Sequence, residues 1–404
     1  MRVLVLNSGS SSVKYQVVDT AAETPLLVGE IERIGAGGAI LTQHRLADGR
    51  RTKESAPAGG HDEAIRLLLE KVLDPEQGLG READRLEAVG HRVVHGGERF
   101  TASARVDETV EEGIRDCMEL APLHNPHNLA GIVAGRAVLP DLPHVAVFDT
   151  AFHATLPPSA YHYALPYALY RRYGVRRYGF HGTSHRNVAR KAAMLLERPA
   201  SSLQVISLHL GNGSSACAIS GGVSVETSMG FTPLEGLVMG TRSGDVDPAA
   251  VLHIMAREEL SVGDAVTLLN RHAGLRGLSG LSGDMRDLLA EASEGDSRAQ
   301  LALDVYVHRI RKYIGAYAAV LGQVDAIAFT GGVGENAALV RSRILRDLSL
   351  LGVEVDTERN QALTGGREGS FHAGPTALLV VRSGEELTIA LETARVLAAE
   401  SRNN

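Results

Sequence analysis

The sequence predicts an α/β fold with mixed sheets, duplicated into two domains with a cleft between them. Residues 3–17 (VLVLNSGSSSVKYQV) and 205–219 (VISLHLGNGSSACAI) align without a gap, at an offset of half of the 404-residue chain. Each copy reads as an apolar strand, a Gly/Ser turn and a second strand, which is a β-hairpin pattern. Elsewhere strands alternate with helical patterns, which is typical of α/β proteins. The two hairpins exclude a purely parallel sheet.

The tips of both hairpins are candidates for phosphate binding. Glycine lets the backbone approach a ligand closely, and neighbouring N–H groups form an anion nest. A single Gly/Ser hairpin is more often an ordinary turn. Two copies separated by half of the chain favour instead a pair of phosphate loops that face a nucleotide held between the halves. Asn7 and Lys14 flank the first loop, where Lys14 either meets an anion or is a solvated strand charge.

The first half is predicted to alternate strands and helices up to a buried strand that ends in an acid. Spacing of three and four places Ile65, Leu68, Leu69, Val72 and Leu73 on one helical face. The polar residues 47–60 are predicted to form a surface loop and 74–85 a charged linker. Further elements of this half are strands at 26–34, 39–46, 86–94 and 144–149 and helices at 62–73, 107–121 and up to Val138.

The boundary between the halves is placed at residue 150, because Asp149 ends a buried strand and Pro157–Pro158 break the chain soon afterwards. We therefore expect an N-terminal domain of residues 1–150 plus 384–404, against which the C-terminal helix packs. Residues 151–383 form the second, nucleotide-binding domain. Its predicted elements are strands within 203–228, at 324–330 and at 376–382, and helices from Pro248, through 264–270, 284–293 and 298–321, and from SGEE (383–386).

Composition narrows the class of protein. The net charge of −7 argues against a general nucleic-acid surface, so no nucleic acid is expected as a partner. Two cysteines, no signal-peptide core and no apolar run of membrane-spanning length predict a cytoplasmic protein that does not contact a membrane.

Several polar residues stand where chemistry is expected. Strand 324–330 delivers GGVGEN (331–336) to a helix N-terminus, where free N–H groups favour anions, although a close glycine turn of purely geometric origin is an equal alternative. Asp149 either serves a metal or catalysis or forms a structural salt bridge. Arg92 and Arg242 lie in Gly-rich turns and can bind carboxylate or phosphoryl oxygens. The alternative, a surface or salt-bridging arginine, is weakened by the ordered glycine turns around both.

Two further patterns concern histidines and a helix start. His181 and His185 in YGFHGTSH (178–185) are spaced as in a zinc motif, but glycine replaces the acid and the segment is predicted to be a loop. SGEE reads as a capping box in which Ser383 caps the helix and Glu386 bonds its backbone. That would leave Glu385 free to act on a metal through water.

Taken together, the motifs resemble those of the acetate kinase family, of the acetate and sugar kinase/Hsc70/actin superfamily, over essentially the whole chain. The resemblance implies a duplicated actin-like, or ribonuclease H-like, two-domain fold. It rests on NSGSSSVK (7–14), GHRVVHGGE (90–98), LHNPHN (123–128), FDTAFH (148–153), RRYGFHGTSH (176–185), HLGNGSS (209–215), MGFTPLEGLVMGTRSGDVDP (229–248), FTGGVGEN (329–336) and EEL (385–387).

The resemblance implies reversible phosphoryl transfer from ATP to acetate, giving acetyl phosphate and ADP. It also implies Mg²⁺, or a substituting Mn²⁺, as the metal and a homodimer as the assembly.

The implied catalytic residues are Arg92, Asp149, His181 and Arg242. The implied metal-binding residues are Asn7 and Glu385. The implied substrate-binding residues are Arg92, Val94, Leu123, Phe180 and Pro233. The residues implied to bind phosphate or nucleotide are Ser10, Ser12, Lys14, His124, His209, Leu210, Gly211, Asn212, Gly213, Asp284, Met285, Arg286, Gly332, Val333, Gly334, Glu335 and Asn336. Phe231 departs from the leucine usual before Thr232–Pro233, which bears on acyl preference.

Three alternatives stay open from the sequence. A propionate or other short-chain acyl kinase differs only in the volume of its acyl pocket. A nucleotide-driven binding module of the actin or Hsp70 kind shares the fold but needs a partner surface for which the chain has no additional domain. A phosphatase or acylphosphatase would use the same arginine, histidine and aspartate side chains for hydrolysis.

Overall fold

The structure is a computed structural model, which describes residues 1–9, 11–35, 38–56, 58–79 and 86–403. The chain forms two compact units, Met1–Ala154 with Gly384–Asn404 and Thr155–Ser383. The α/β class with mixed sheets is confirmed. The assignment of functions to two domains, with a boundary at residue 150, stays a prediction.

The first unit contains an eight-stranded mixed sheet. Its strands in chain order are β1 (Arg2–Ser8), β2 (Ser12–Asp19), β3 (Thr24–Glu32), β4 (Ile40–Arg45), β5 (Arg51–Ser55), β6 (Leu86–Val93), β7 (Ala104–Arg105) and β8 (His144–Phe148). They lie in the order β5-β4-β3-β2-β1-β6-β8-β7. Strands β1 to β5 pair antiparallel, whereas β1, β6 and β8 are parallel. Because β6 and β8 are parallel neighbours, Arg92 and the residue that follows β8 meet at one edge.

Helices cover this sheet through apolar faces. They are α1 (His61–Leu73), α2 (Glu108–Asp116), α3 (Asn125–Val138) and the C-terminal helix (Glu385–Asn403). Helix α1 buries Ile65, Leu68, Leu69 and Val72 as predicted, but Leu73 is exposed at its last position. The C-terminal helix packs Ile389 and Ala390 against Val3 and Val5 of β1, so the end of the chain completes the first unit.

The second unit contains a six-stranded mixed sheet that repeats the order of the first. Its strands are β9 (Gln204–Leu210), β10 (Ser214–Ser220), β11 (Val223–Thr227), β12 (Ala326–Thr330), β13 (Gly369–Ser370) and β14 (Ala377–Val380). They lie in the order β11-β10-β9-β12-β14-β13. The run β11-β10-β9-β12-β14 corresponds to β3-β2-β1-β6-β8, with an antiparallel hairpin followed by parallel neighbours in both. The duplication inferred from the two hairpins is confirmed.

The second unit is richer in helices than the first. These are α4 (Pro158–Tyr161), α5 (Tyr167–Tyr173), α6 (Gly182–Leu195), α7 (Pro248–Arg257), α8 (Val262–Thr267) with a π-helical turn (Leu268–His272), α9 (Gly274–Ser279), α10 (Met285–Ser293), α11 (Ser297–Leu321), α12 (Gly331–Asn336), α13 (Ala338–Leu345) and α14 (Thr357–Ala362). Helix α11 buries Leu303, Tyr306, Ile310 and Tyr317, which lie on one helical face, in the core of the unit. Short 3₁₀ turns cover Ala151–Thr155, Ala200–Ser202 and Ser349–Leu351. Nowhere in the described chain is a helix both long and apolar enough to span a membrane.

Local sequence signals were wrong at two places, one at residues 47–60 and one at the start of the C-terminal helix. Residues 47–60 are not only a loop, because β5 pairs antiparallel with β4 although Arg, Lys and Glu are poor strand formers. Pairing at the sheet edge overrides that propensity. The C-terminal helix begins at Glu385, so Gly384 and not Ser383 precedes it. The backbone N–H of Ser383 instead donates to the carboxylate of Glu335, 2.9 Å away.

Two glycine-containing segments of the second unit are helical where turns were expected. Residues 182–185 form the first turn of α6, and His181 precedes it in a left-handed conformation with φ 56°. Gly182, Thr183 and Ser184 disfavour helix interiors but are tolerated at an N-terminus, which the sequence prediction overlooked. GGVGEN itself forms α12 and does not merely lead into a helix.

Candidate active site

A buried ion pair joins β6 to the end of β8 in the first unit. Asp149 is 1% exposed, and its Oδ2 lies 2.7 Å from Nη2 of Arg92. Nε of Arg92 also donates to this carboxylate at 3.2 Å, so the pair is two-pronged and fixes the plane of the guanidinium. The alternatives for Asp149 are therefore not exclusive, because it forms a salt bridge with another predicted catalytic residue.

Oxygen atoms of Asn7 and Glu385 approach the remaining nitrogen of the same guanidinium. Nη1 of Arg92 lies 3.4 Å from Oδ1 of Asn7 and 4.0 Å from Oε2 of Glu385. Burial acts to lower the pKa of Arg92, but the charges of Asp149 and Glu385 outweigh it and raise that pKa above its ordinary value. Arg92 is therefore a permanent cation among oxygen ligands.

These oxygens fit a hard divalent cation. Mg²⁺ is usually held by one or two carboxylates, with waters and substrate phosphates completing an octahedron. Asn7, Asp149 and Glu385 supply an amide oxygen and two carboxylates around Arg92. In the described part of the chain, no group of three or more His, Cys, Asp or Glu side chains could hold a metal by itself.

The first hairpin contributes less than expected from its sequence. The N–H of Gly9 donates to the carbonyl of Ser12 at 2.8 Å, which closes the turn, and Ser10 lies outside the described residues. Lys14 is more than half exposed and lies 3.9 Å from Glu30 of β3. Its ammonium therefore has a carboxylate partner on the sheet surface, which favours the solvated-charge alternative.

LHNPHN holds the strand that bears Arg92. Asn125 and Asn128, in the first turn of α3, accept the N–H groups of His95 and Val94 at 3.1 Å and 3.0 Å. The side-chain amide of Asn128 also donates to the carbonyl of Ser8 in β1. The sequence prediction overlooked both asparagines. Their signal was the motif itself, since buried Asn needs several partners.

The other predicted residues of the first unit differ in exposure. Val94 is buried, and His124 is half-buried immediately before α3. Leu123 is 54% exposed, so within its own unit it presents an open apolar surface and not a packed wall.

In the second unit, three predicted residues converge on the second hairpin. Nδ1 of His181 lies 2.9 Å from Oγ of Ser215, and its ring stands 4.1 Å from that of His209. A Cβ built on Gly213 would lie 3.5 Å from Nε2 of His181 and 3.7 Å from Nη1 of Arg242. The imidazole and the guanidinium thus face one point beside the hairpin tip, which suits an anion.

Arg242 lacks the acid partner that Arg92 has. Its Nη1 donates to the carbonyl of Pro233 at 3.1 Å and approaches the thioether sulfur of Met239 at 3.7 Å. Among the described residues of this unit, no carboxylate forms an ion pair with it, and burial lowers its pKa. A desolvated cation without a counter-ion favours binding of an anionic group.

Phe180 is buried beside His181, and Pro233 is half-buried. Phe231 packs its ring 6.2 Å from that of Tyr178, and its N–H donates to the hydroxyl of Tyr163. Tyr163 in turn bonds Glu235, which pairs with Arg177. Phe231 is therefore anchored in an aromatic and ionic cluster.

A cavity of about 850 Å³ opens in the second unit, large enough for a nucleoside. Eight predicted nucleotide-binding residues line it, namely Gly211, Asn212, Asp284, Met285, Arg286, Gly332, Val333 and Asn336. Five do not line it, namely His209, Leu210, Gly213, Gly334 and Glu335. The sequence prediction overlooked Thr241, which lies within the motif at 229–248. It also overlooked seven residues outside the quoted motifs that reach the cavity through the fold, namely Leu275, Arg276, Leu281, Ser282, Gly283, Leu289 and Ala337.

Leu210 and Glu335 have structural partners instead. Leu210 is fully buried in the core. Oε1 of Glu335 accepts the N–H groups of Gly331 and Ser383 at 3.1 Å and 2.9 Å. Burial raises the pKa of Glu335, and those two N–H groups oppose the shift. The carboxylate of Glu335 thus bonds the backbone at the start of α12 and at Ser383. Because the side chain of Leu210 is buried, only its backbone atoms could contact a ligand.

Close backbone approach shapes the cavity edge. A Cβ on Gly283 would lie 2.7 Å from the carbonyl oxygen of Gly240, and the N–H of Gly240 donates to the carbonyl of Asn212. Asn212, Gly240 and Gly283 therefore form a contact that a larger side chain at Gly283 would separate.

Comparison with known proteins gives one consistent result. The family model described as the acetokinase family matches residues 2–391. The acetate kinase of Methanosarcina acetivorans is 51% identical over 400 residues, covering 99% of this chain and 98% of that protein. The acetate kinase of Desulfitobacterium hafniense is 51% identical over 399 residues, covering 98% and 99%.

Solved structures agree in fold. The crystal structure of Porphyromonas gingivalis acetate kinase is similar with a TM-score of 0.94 and 41% identity, covering 98% of this chain and 99% of that one. A propionate kinase from Francisella tularensis has a TM-score of 0.91 and 38% identity at the same coverage. The fold expected from the motifs is therefore confirmed, and a propionate kinase is among the similar structures.

Proposed function

This chain belongs to the acetokinase family, and on that premise we propose that it transfers the γ-phosphoryl group of ATP reversibly to acetate, giving acetyl phosphate and ADP. The observation that carries the proposal is the similarity to acetate kinases along nearly the full length of both chains. It excludes the nucleotide-driven binding module and the phosphatase as main functions. The roles of single residues below are part of the proposal.

Phosphoryl transfer depends on positioning and neutralisation of charge more than on covalent chemistry. In the first unit, Arg92 binds an anionic group of the reactants with the face that Asp149 leaves open. Asp149 orients that guanidinium through its two hydrogen bonds. Acetate is ionised at neutral pH, so the reaction needs no base to activate it, and Asp149 acts as a positioning residue.

In the second unit, Arg242 and His181 stabilise the phosphoryl group during its transfer. Both point at the same place beside the hairpin tip, and Arg242 has no carboxylate competing for its donors within the described part of this unit. Donors preorganised toward developing charge are usually the largest single contribution to such catalysis.

The nucleotide occupies the 850 Å³ cavity, with Asn212, Asp284 and Asn336 among its polar walls. Leu275, Met285 and Val333 give the apolar surface that a purine base prefers. The identity of the nucleotide as ATP or ADP rests on the family.

The divalent metal of the family is proposed to be Mg²⁺, with Mn²⁺ able to substitute. Asn7 and Glu385 would hold it, and Asp149 would stand beside it. When bound, such an ion neutralises charge on the phosphates.

Propionate is the alternative acyl substrate, supported by the similar propionate kinase structure. Initial rates with acetate, propionate and butyrate, with the acyl phosphate trapped as a hydroxamate, test the proposal. We expect acetate to give the highest kcat/KM. No acyl phosphate from any of the three acids would refute the function, and a preference for propionate would establish the alternative.

We also propose a homodimer formed through the second unit. Helix α7 buries none of its residues in the single chain, and its apolar Leu252 is 65% exposed. Val262, at the start of α8, is also apolar and is 73% exposed. Apolar surface of this kind is typical of interfaces, and a second copy is its simplest complement. Sedimentation equilibrium should give twice the 42.9 kDa chain mass, and Leu252→Asp should lower it. A wild-type monomer would refute this assignment.

A cytosolic location is proposed from the two cysteines. Cys117 and Cys217 are both buried free thiols, as expected in a reducing compartment. Localisation of a tagged chain tests it.

A further inference from the structure

A buried chain of hydrogen bonds connects His181 to the interior of the second unit. Oγ of Ser215 lies 2.9 Å from Nδ1 of His181 and 2.8 Å from Nε2 of His185. Nδ1 of His185 lies 2.8 Å from Oγ of Ser207. Ser207, Ser215 and His185 are fully buried, on β9, β10 and α6, so the chain is shielded from water.

While both imidazoles are neutral, an unbroken sequence of donations through this chain can run in either of two directions. A serine hydroxyl donates one hydrogen, and a neutral imidazole carries one N–H. If Ser207 donates to His185, then His185 donates to Ser215. When Ser215 in turn donates to Nδ1 of His181, the proton of His181 is on Nε2. If every bond is reversed, Nδ1 of His181 donates to Ser215 and Nε2 carries a lone pair.

The direction matters because of where Nε2 of His181 lies. That nitrogen and Nη1 of Arg242 both approach the same point beside Gly213. An anionic oxygen bound there is attracted by an N–H and repelled by a lone pair. A doubly protonated His181 would also donate, but its charge would add to that of Arg242. The ring of His209, 4.1 Å away, adds no negative charge to offset it.

We propose that Ser207, His185 and Ser215 form a hydrogen-bond relay that holds His181 as the neutral Nε2–H tautomer, ready to donate to the transferred phosphoryl group. This inference rests on the proposed function for the role of His181, but the relay itself concerns only the second unit. His181 is the catalytic residue, and the other three are positioning residues. A group that fixes a histidine tautomer can be essential while touching no substrate.

Ser207 gives the sharpest test, because its hydroxyl is separated from His181 by two side chains. Ser207→Ala removes the first donor, so His185 is free to reverse and His181 loses its preference for Nε2–H. We expect kcat to fall about tenfold, with the KM values for acetate and ATP unchanged, since the lost contact belongs to the transition state. Ser207→Thr keeps the hydroxyl and should restore most of kcat.

Ser224→Ala is the matched control. Ser224 is also a fully buried serine of the same sheet, on β11, with its hydroxyl 3.3 Å from the sulfur of Cys217. Its loss should change stability to a similar degree and leave kcat unchanged.

A second readout needs no turnover. In protein labelled with ¹⁵N-histidine, protonated and unprotonated ring nitrogens have well-separated shifts, and the His181 signals are identified by their absence in His181→Gln. Unliganded wild type at neutral pH should show Nδ1 of His181 unprotonated, and Ser207→Ala should shift it toward Nδ1–H.

The outcomes separate the two proposals. Absence of acyl phosphate formation by wild type would refute the proposed function and leave the tautomer measurement standing. A wild-type His181 that is doubly protonated or protonated on Nδ1 would overturn the relay, as would a folded Ser207→Ala protein with unchanged kcat and tautomer. If Ser207→Ala does not fold, the wild-type spectrum and the kcat of Ser207→Thr still decide.

Discussion

Arg92 and Arg242 carry the same charge in the two units, but their surroundings are opposite. Arg92 is bonded to the buried carboxylate of Asp149, and Glu385 lies 4.0 Å away, so its pKa is raised. Arg242 is bonded to the carbonyl of Pro233, has no acid partner in the described part of its unit, and has its pKa lowered by burial.

The difference shows that duplication copied the sheets and not the charges. The first unit keeps its arginine rigid and compensated beside oxygen atoms that suit a cation. The second unit keeps its arginine uncompensated beside His181, where an added anion would supply the missing charge. Each unit therefore has its own charge character, with the first suited to a cation and the second suited to an anion.

The largest expected effect is on catalysis, where the two arginines should behave alike. Arg92→Ala and Arg242→Ala should each lower kcat/KM about 10²–10³-fold, because each removes a charge contact in the transition state. Initial rates of acyl phosphate formation measure this, with circular dichroism as the check on folding. Near-normal turnover by either folded variant would remove that arginine from the proposed site.

The free energy of unfolding should respond differently to substitution of the same two arginines. Arg92→Met leaves the buried carboxylate of Asp149 unpaired and should cost about 3 kcal/mol, whereas Arg242→Met leaves no buried charge and should cost less than about 1 kcal/mol. Urea unfolding of both variants measures the difference. Equal losses would mean that Asp149 does not depend on Arg92 for compensation.

Asp149→Asn tests whether the carboxylate of Asp149 positions Arg92 or abstracts a proton. The amide still accepts one hydrogen bond but lacks the charge, so kcat/KM should fall about 10- to 100-fold. The pH profile of the remaining activity should keep its shape, because acetate needs no base. A wild-type rate that follows a single ionisation missing from the variant would instead make Asp149 a general base.

The preference between acetate and propionate should depend more on buried Val94 than on exposed Leu123, the two predicted acyl contacts of the first unit. Val94→Ala opens a packed position and should raise the propionate-to-acetate ratio of kcat/KM about tenfold, mainly through KM. Leu123→Ala is the control, since a side chain that is 54% exposed has room to move and should change the ratio less. Equal ratios in wild type and Val94→Ala would show that Val94 does not contact the acyl chain.

The smallest expected effect compares two helix caps. Asp284 accepts the N–H of Arg286 at the start of α10, and Asp107 accepts that of Val110 at the start of α2. Either Ala variant should lose about 1 kcal/mol of stability. Only Asp284→Ala should also weaken ADP binding, measured by calorimetry, because Asp284 lines the nucleotide cavity.

The pH dependence of the Asp284 cap follows from its pKa. Hydrogen bonds from the side chain and backbone of Arg286 lower that pKa to about 2. Because the shift is downward, the stabilisation is present at neutral pH and is lost as the pH falls from about 4 toward 2. Wild type should therefore lose more stability than Asp284→Ala over that interval, and parallel losses would contradict the assignment.

Sequence by itself determined the features that depend on neighbours along the chain. The paired hairpins, the buried strands before Asp149 and GGVGEN, and the three-and-four spacing of α11 all encode local geometry. The family motifs also predicted Arg92, Asp149, His181 and Arg242 as site residues, and their catalytic roles stay a prediction.

Only the tertiary structure decided what depends on residues far apart in the chain. Strand β5 exists because β4 pairs with it, and Gly240 meets Gly283 through a backbone contact that neither local sequence encodes. The relay from Ser207 to His181 likewise joins two strands and a helix, none of which contains the whole pattern. Hydrogen-bond direction and desolvation are set by such non-local partners, so the chemistry of a side chain follows from its fold more than from its neighbours in sequence.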